Sequence, residues 1–205
     1  MQTLSREDYA AWCQDAQVLE RDGHGEKVLR LTDGTFLKLF RRKSWFSKTA
    51  LYPPAERFAQ NAATLQLLGI PCPKVIQLYR LTTPYRSLVH YHPLAGDTLR
   101  SLMNNDSLKN QHELIVSLAG FIAKLHDLGI YFRSLHFGNI VLTHDNHFGL
   151  IDISDMRFLG RPLSRGMRNR NYKHLLRYES DWSNIKEEIH SLFCADSSNL
   201  QNHEQ

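Results

Sequence analysis

Residues 16–40, AQVLERDGHGEKVLRLTDGTFLKLF, constrain the fold more than any other stretch of the chain. Apolar and polar positions alternate along the segment, and Asp22-Gly23 and Asp33-Gly34 interrupt it. Asp-Gly supplies the positive-φ residues that tight hairpin turns need, and period-two alternation marks a strand with one buried face. The pattern predicts three antiparallel strands near 17–21, 26–31 and 35–40.

A leading helix is predicted over 3–16 with Ser5 as its N-cap. Phe58, Ala62, Leu65 and Leu68 recur at helical spacing, and Gly69, Pro71 and Pro73 end that helix. PKVIQLYRL and YRSLVHYHPL read as two further strands, and Asp97 or Thr98 caps a helix starting at Leu99. Residues 111–128 give the clearest helix, with Leu114, Leu118, Phe121, Ile122 and Leu125 as its apolar stripe. Two short strands, IVL (140–142) and FGLID (148–152), flank a turn at His144-Asp145-Asn146, and another helix is predicted across 179–194. The expected class is α+β. A small antiparallel lobe fills residues 1–94, a mainly helical lobe fills 95–195, and the polar residues 196–205 form a disordered tail.

With 205 residues and 42% apolar side chains, the chain can build a real core. Its net charge of +4 suits anionic ligands and is too weak for a nucleic-acid binder. Cys13, Cys72 and Cys194 are far apart with no CxxC, as expected of reduced thiols in the cytoplasm. Neither a signal peptide nor an apolar run of membrane-spanning length is read.

The chemistry concentrates between residues 129 and 155. Asn139 and Asp152 lie thirteen positions apart across the predicted hairpin. That arrangement brings two oxygen ligands to one point, as a hard cation requires. GIYFRSLHFGNIVL (129–142) places Arg133, Leu135 and Asn139 where the pattern H-R-D-L-x-x-x-x-N wants Arg, Leu and Asn, with Ser134 at the Asp position. On these residues the chain resembles the protein-kinase-like superfamily. Within it, it is most similar to the lipopolysaccharide core kinases and the bacterial toluene tolerance proteins grouped with them. The resemblance covers roughly 16–182 and is strongest over 118–155.

It implies a bilobal kinase-like fold with a nucleotide cleft, ATP and Mg²⁺ as cofactors, and a saccharide or glycolipid acceptor. Peripheral contact with the inner membrane would follow from such an acceptor, and the basic runs at 41–43 and 161–177 suit it. Lys38 in TFLKLF stands where the lysine that pairs with the α/β-phosphates is found. Asn61 takes the place of that lysine's usual Glu partner, with Glu56 as an alternative. Gly23 and Gly25 form either a short phosphate-covering turn or simple hairpin geometry. Asn139 and Asp152 would hold Mg²⁺, and Asp155 is either a further ligand or a cap. Ser134 would touch the acceptor, and His136 is either a substitute base or a structural residue. His126 is read as structural. Because Ser134 replaces the expected base, two functions stay open. One is an atypical phosphotransferase. The other is a pseudokinase that binds nucleotide or a partner as regulator or scaffold in envelope or solvent stress.

Overall fold

The computed structural model describes residues 1–23, 25–41, 53–83, 85–104 and 111–182. The basic-aromatic segment after Arg41, the chain beyond Trp182 that was read as helix to 194, and the tail at 196–205 lie outside the described residues. Among the described residues the fold is mixed α+β, with a six-stranded sheet and five helices. The chain divides into two compact units. Met1–Leu94 with Leu150–Asp155 forms the first, and Ala95–Gly149 with the chain from Met156 onward forms the second.

In the first unit, β1 (Gln2–Thr3) precedes α1 (Arg6–Gln14), which is followed by β2 (Gln17–Asp22), β3 (Gly25–Arg30) and β4 (Phe36–Arg41). Then come α2 (Pro54–Leu67), β5 (Lys74–Thr82) and β6 (Tyr85–His92). The sheet order is β1-β5-β6-β4-β3-β2. All its pairings are antiparallel except β1 with β5, where Gln2 faces Tyr79. The Asp-Gly pairs fall between β2 and β3 and between β3 and β4; Gly34 takes the positive φ (82°) in the second turn, and in the first the positive-φ residue is Gly25 (113°), not Gly23. Ser5 caps α1, its hydroxyl accepting from the Asp8 amide at 2.9 Å.

Alternation along β4 splits its side chains between the two sheet faces. Leu37 and Leu39 join Leu4, Leu29, Leu81 and Leu88 in a core cluster against which Tyr9, Trp12 and Cys13 of α1 pack. On α2, Phe58 stacks on Phe40 (6.4 Å) and Tyr91 (5.2 Å), and Phe36 meets Tyr91 at 5.8 Å. Burying a side chain such as Phe58 contributes about 2–3 kcal/mol. Pro53 and Pro54 start α2, where a missing N–H costs nothing. Gly69, at φ 67°, ends it: Ile70 N–H donates to Leu65 O and Gly69 N–H to Gln66 O, closing a Schellman turn.

The second unit contains β7 (Asp97–Thr98), α3 (Leu99–Met103), α4 (Gln111–Asp127), β8 (Ile130–Phe132), β9 (Ile140–Leu142), β10 (Phe148–Leu150), β11 (Met156–Phe158) and α5 (Arg165–Leu175). The last residue of β10, Leu150, is counted with the first unit. The order β10-β9-β7 makes one small sheet and β11-β8 another. Thr98 caps α3, accepting from the Ser101 amide. The buried face of α4 is Ile115, Leu118, Ala119, Ile122, Leu125 and His126. It is rotated slightly from the predicted stripe, leaving Leu114 and Phe121 half-buried. Gly129, at φ 73°, sits where a Cβ would overlap the Arg161 carbonyl. The basic stretch 160–178 contains α5, and the predicted helix from 179 begins instead as a 3-10 turn at Glu179–Asp181. Among the described residues no helix is long and apolar enough to cross a membrane.

Candidate functional site

Lys38 occupies the middle of β4, paired with Val28 on one side and Val89 on the other. It lies on the α2 face, only 8% exposed. A buried ammonium needs a compensating partner, because desolvation alone costs several kcal/mol. That partner is Asp152, whose Oδ1 accepts from Lys38 Nζ at 2.6 Å. The ring of Phe40 adds a weaker contact, 5.9 Å from the ammonium to its centroid. The Asp152 side chain is 41% exposed, so the carboxylate couples a buried cation to solvent.

Asp152 has φ 51°, in the left-handed region that Asp tolerates better than most residues. The conformation is held from both sides. Leu150 N–H donates to Pro71 O at 2.9 Å, and Asn61 Nδ2 donates to Ile153 O at 2.6 Å. Asn61 is buried on α2 and Ile153 is fully buried. The sequence reading set Asn61 as the partner of Lys38. The structure gives that place to Asp152 and uses Asn61 to anchor the backbone that follows it. Glu56 lies in the first turn of α2, where a carboxylate complements the helix dipole.

Gly23 and Gly25 sit at the β2–β3 hairpin, and Gly25 (φ 113°) pairs with Asp22. The nearest groups to a Cβ built on Gly25 are Arg41 Nη2 at 3.8 Å and Arg86 Nη2 at 3.9 Å.

The second unit holds Ser134, His136 and Asn139 on one loop. Phe132, Leu135 and Phe137 are fully buried and pin it, while Ser134 and His136 between them stay half-buried. Asn139 is 8% exposed, and its Nδ2 donates to Ser134 O at 2.9 Å. That bond commits the amide nitrogen to the backbone, and Oδ1 is the side chain's acceptor atom. His136 caps the 3-10 turn Phe137–Asn139, its Nδ1 accepting from the Gly138 amide at 3.1 Å. A backbone N–H can only donate, so Nδ1 is unprotonated and the ring proton sits on Nε2. Ser134 carries a hydroxyl, which near neutral pH orients a partner but does not take its proton.

Four further residues, Arg100, Tyr178, Asp181 and Trp182, brace this loop. Arg100 on α3 donates Nε and Nη2 to Asp181 Oδ1 and Oδ2 at 2.6 and 2.8 Å. Its guanidinium lies 4.8 Å from the Tyr178 ring centroid, and Tyr178 meets His136 edge-on at 5.1 Å. A Cβ on Gly138 would come within 2.9 Å of Arg100 Nη1, so this glycine permits the close approach. Phe137 packs on Trp182 at 4.6 Å. Arg100 and Asp181 are 81 residues apart, and no local pattern links them.

His126 is fully buried on the last turn of α4, with Nε2 3.1 Å from Asn171 Oδ1. Burial pulls its pKa down to about 4, so it is a neutral structural histidine. Among the described residues no group of three or more His, Cys, Asp or Glu side chains could hold a metal ion. No protein-family model and no curated protein matches the chain.

Proposed function

We propose that this protein is a kinase-like nucleotide-binding phosphotransferase that acts on a hydroxyl of a saccharide or glycolipid. The observation that carries the reading is the pairing of buried Lys38 with half-exposed Asp152 at 2.6 Å. A strand-borne ammonium beside a half-exposed carboxylate puts a cation for phosphate oxygens next to an anion for a metal ion. In this reading the two units are the lobes of a bilobal kinase-like arrangement. Lys38 contacts nucleotide phosphate and Asp152 would ligate Mg²⁺, which neutralises phosphate charge when bound, and the resemblance gives Asn139 the same role. Ser134 orients the acceptor hydroxyl. The acceptor class, the cytoplasmic location and any contact with the inner membrane rest on the resemblance of the 129–155 segment.

A second reading is favoured by one specific observation. His136 Nδ1 is occupied by the Gly138 amide, so neither Ser134 nor His136 replaces the missing aspartate. That favours a pseudokinase that binds nucleotide and regulates or scaffolds other proteins. General-base catalysis is worth about 10²–10⁴-fold, so its loss slows transfer without removing nucleotide affinity.

Thermal unfolding with ATP, with and without Mg²⁺, tests the common core. A Mg²⁺-dependent stabilisation that disappears in Lys38→Met and Asp152→Ala is expected, and no stabilisation of the wild type would overturn both readings. Turnover in Ser134→Asp then separates them. A rise supports the phosphotransferase, and nucleotide binding with no turnover in either protein supports the pseudokinase.

A further inference from the structure

From Met156 to Tyr178 the chain carries seven Arg or Lys residues and not one Asp or Glu. In the second unit these residues build β11 and α5. We propose that the exposed side of α5, with Arg157 beside it, seats this unit on an anionic phospholipid bilayer. This docking rests on the reading of the neighbouring loop as the place where a glycolipid acceptor is presented, and it supplies the surface that brings the lipid there.

Charge placement is the first ground. Arg170, Lys173 and His174 stand at i, i+3 and i+4, so they share one side of α5. Arg177, just past the helix end, continues the stripe, its Nη2 donating to His174 Nδ1 at 2.6 Å. A guanidinium can only donate, so that imidazole nitrogen is unprotonated and the ring adds no counter-charge. Tyr131 on β8 meets the same ring, its hydroxyl 3.3 Å from His174 Nε2. Arg157 on β11 is directly across from Tyr131, on the same face of that two-stranded ribbon, and so joins the stripe. Arg157, Arg170 and Lys173 are exposed and make no hydrogen bond or ion pair among the described residues. Arg168, by contrast, turns to Asp127 at 2.7 Å. Like charges at helical spacing destabilise a helix. Lys173 sits in the last turn of α5, where the helix dipole favours a cation, but Arg170 is further in and Arg157 is on a strand. A negatively charged surface outside the molecule offsets that repulsion.

Position is the second ground, and it selects the partner. Tyr178, 40% exposed, follows Arg177 directly and meets His136 edge-on at 5.1 Å. The stripe therefore runs up to the loop that carries Ser134, His136 and Asn139. A lipid acceptor stays in its bilayer, so the loop has to be brought to the membrane. Tyrosine, with an apolar ring and a polar tip, suits the headgroup level at which such a loop would work. The cations are exposed, long side chains that can follow a fluid array of headgroups without a fixed pocket. Each Lys or Arg held near an anionic bilayer strengthens binding about fivefold, so four of them together give roughly several hundredfold. With a net charge of only +4 over the whole chain, this local stripe supplies the attraction.

The test sediments the full chain, without nucleotide, with sucrose-loaded vesicles of phosphatidylcholine alone or of phosphatidylcholine mixed with phosphatidylglycerol. Binding to the mixed vesicles only, released by high salt, is expected. The combined variant Arg157→Gln, Arg170→Gln, Lys173→Gln should bind about a hundredfold more weakly, with its circular dichroism and thermal midpoint kept. Lys173→Glu, a single exposed change, should weaken binding about twentyfold. The variant Arg30→Gln, Lys74→Gln, Lys124→Gln loses the same charge at exposed positions elsewhere and should keep most of the binding. Equal losses in the two triple variants, undiminished binding of Lys173→Glu, no preference for the anionic vesicles, or tighter binding of the wild type to a single-stranded RNA oligonucleotide than to the vesicles would each overturn the proposal. Vesicle binding is read without nucleotide and the Mg²⁺-ATP stabilisation without lipid, so the docking surface and the nucleotide site fail separately.

Discussion

Acidification should unlock the second unit through one side chain, His126. The imidazole is fully buried, and its proton is assigned by its neighbour. Asn171 Nδ2 donates to Phe132 O at 2.5 Å, so Asn171 Oδ1 faces His126 Nε2 and accepts its N–H at 3.1 Å. Nδ1 is left buried with no hydrogen-bond partner among the described residues. Protonation would place a charge there with nothing to receive it. Burial is the main cause of the depressed pKa of about 4. Arg168 lowers it further, and the Asn171 bond and Asp127 oppose them. An unfolded histidine titrates near 6.5, so between about pH 6.5 and 4 the unfolded chain binds the extra proton and stability falls as pH falls. For a folded value of about 4, the loss relative to neutral pH is about 2 kcal/mol at pH 5 and about 3 kcal/mol at pH 4. A domain has only about 5–15 kcal/mol in total, so the effect is large. Trp182, buried in the same unit with its indole N–H on Leu175 O, is the reporter. Urea unfolding followed by its fluorescence, in a Trp12→Phe, Trp45→Phe background, should show this loss between about pH 7 and pH 5. His126→Gln, whatever its stability at neutral pH, should lose about 2 kcal/mol less over the same interval. His90, whose burial also depresses its pKa, is present in both proteins and cancels in the comparison. An equal loss in the two proteins, or an imidazole signal of His126 titrating near 6.5, would refute the reasoning.

Other changes test the scaffold. Arg100→Met removes the partner of Asp181, whose side chain is 2% exposed. A loss of about 3 kcal/mol is expected in urea unfolding, with much of it recovered in the Arg100→Met, Asp181→Asn double variant. Gly129→Ala combines a left-handed φ with overlap on the Arg161 carbonyl, so it should cost several kcal/mol, roughly 3 or more, and lower the thermal midpoint sharply. Asp152→Asn keeps the left-handed preference and a hydrogen-bond acceptor for Lys38 but loses the charge. It should therefore unfold at a higher temperature than Asp152→Ala while stabilising as little as that variant does with Mg²⁺ and ATP.

Strands β2, β3 and β4 of the first unit were legible to within a residue because their causes are local. The Asp-Gly pairs fix the turns and alternation fixes the faces, so 17–21, 26–31 and 35–40 are found at Gln17–Asp22, Gly25–Arg30 and Phe36–Arg41. The caps at Ser5 and Thr98 were legible for the same reason. What was missed depends on distant partners. Strand β1 is two residues long and exists only as a parallel neighbour of β5, far along the chain. Helix α5 has no apolar stripe to read, because its buried residues are Leu175 and the polar Asn171. Asn171 earns its place through bonds to His126 and Phe132, which no local pattern encodes.

The same division runs through the candidate site. Lys38 and Asp152 were marked separately as phosphate and metal residues, and the structure adds that they contact each other directly. In the other unit the loop could be aligned residue by residue, but its proton chemistry could not. His136 was a candidate base by type alone. Its geometry assigns Nδ1 to the Gly138 amide and the proton to Nε2. For Nε2 to accept a proton from a neutral ring, the other tautomer would be needed, and its Nδ1–H would point at the Gly138 N–H. That exchange forfeits a hydrogen bond worth about 1 kcal/mol and opposes two donors. Protonating Nε2 on the existing ring is impossible, because it already carries a hydrogen. Thus His136 holds the turn that presents Asn139, with Tyr178 and the Arg100–Asp181 pair behind it. In the proposed reading the loop would keep the groups that position substrates and lack an acidic base, so Ser134→Asp is the single change that would alter its chemistry most.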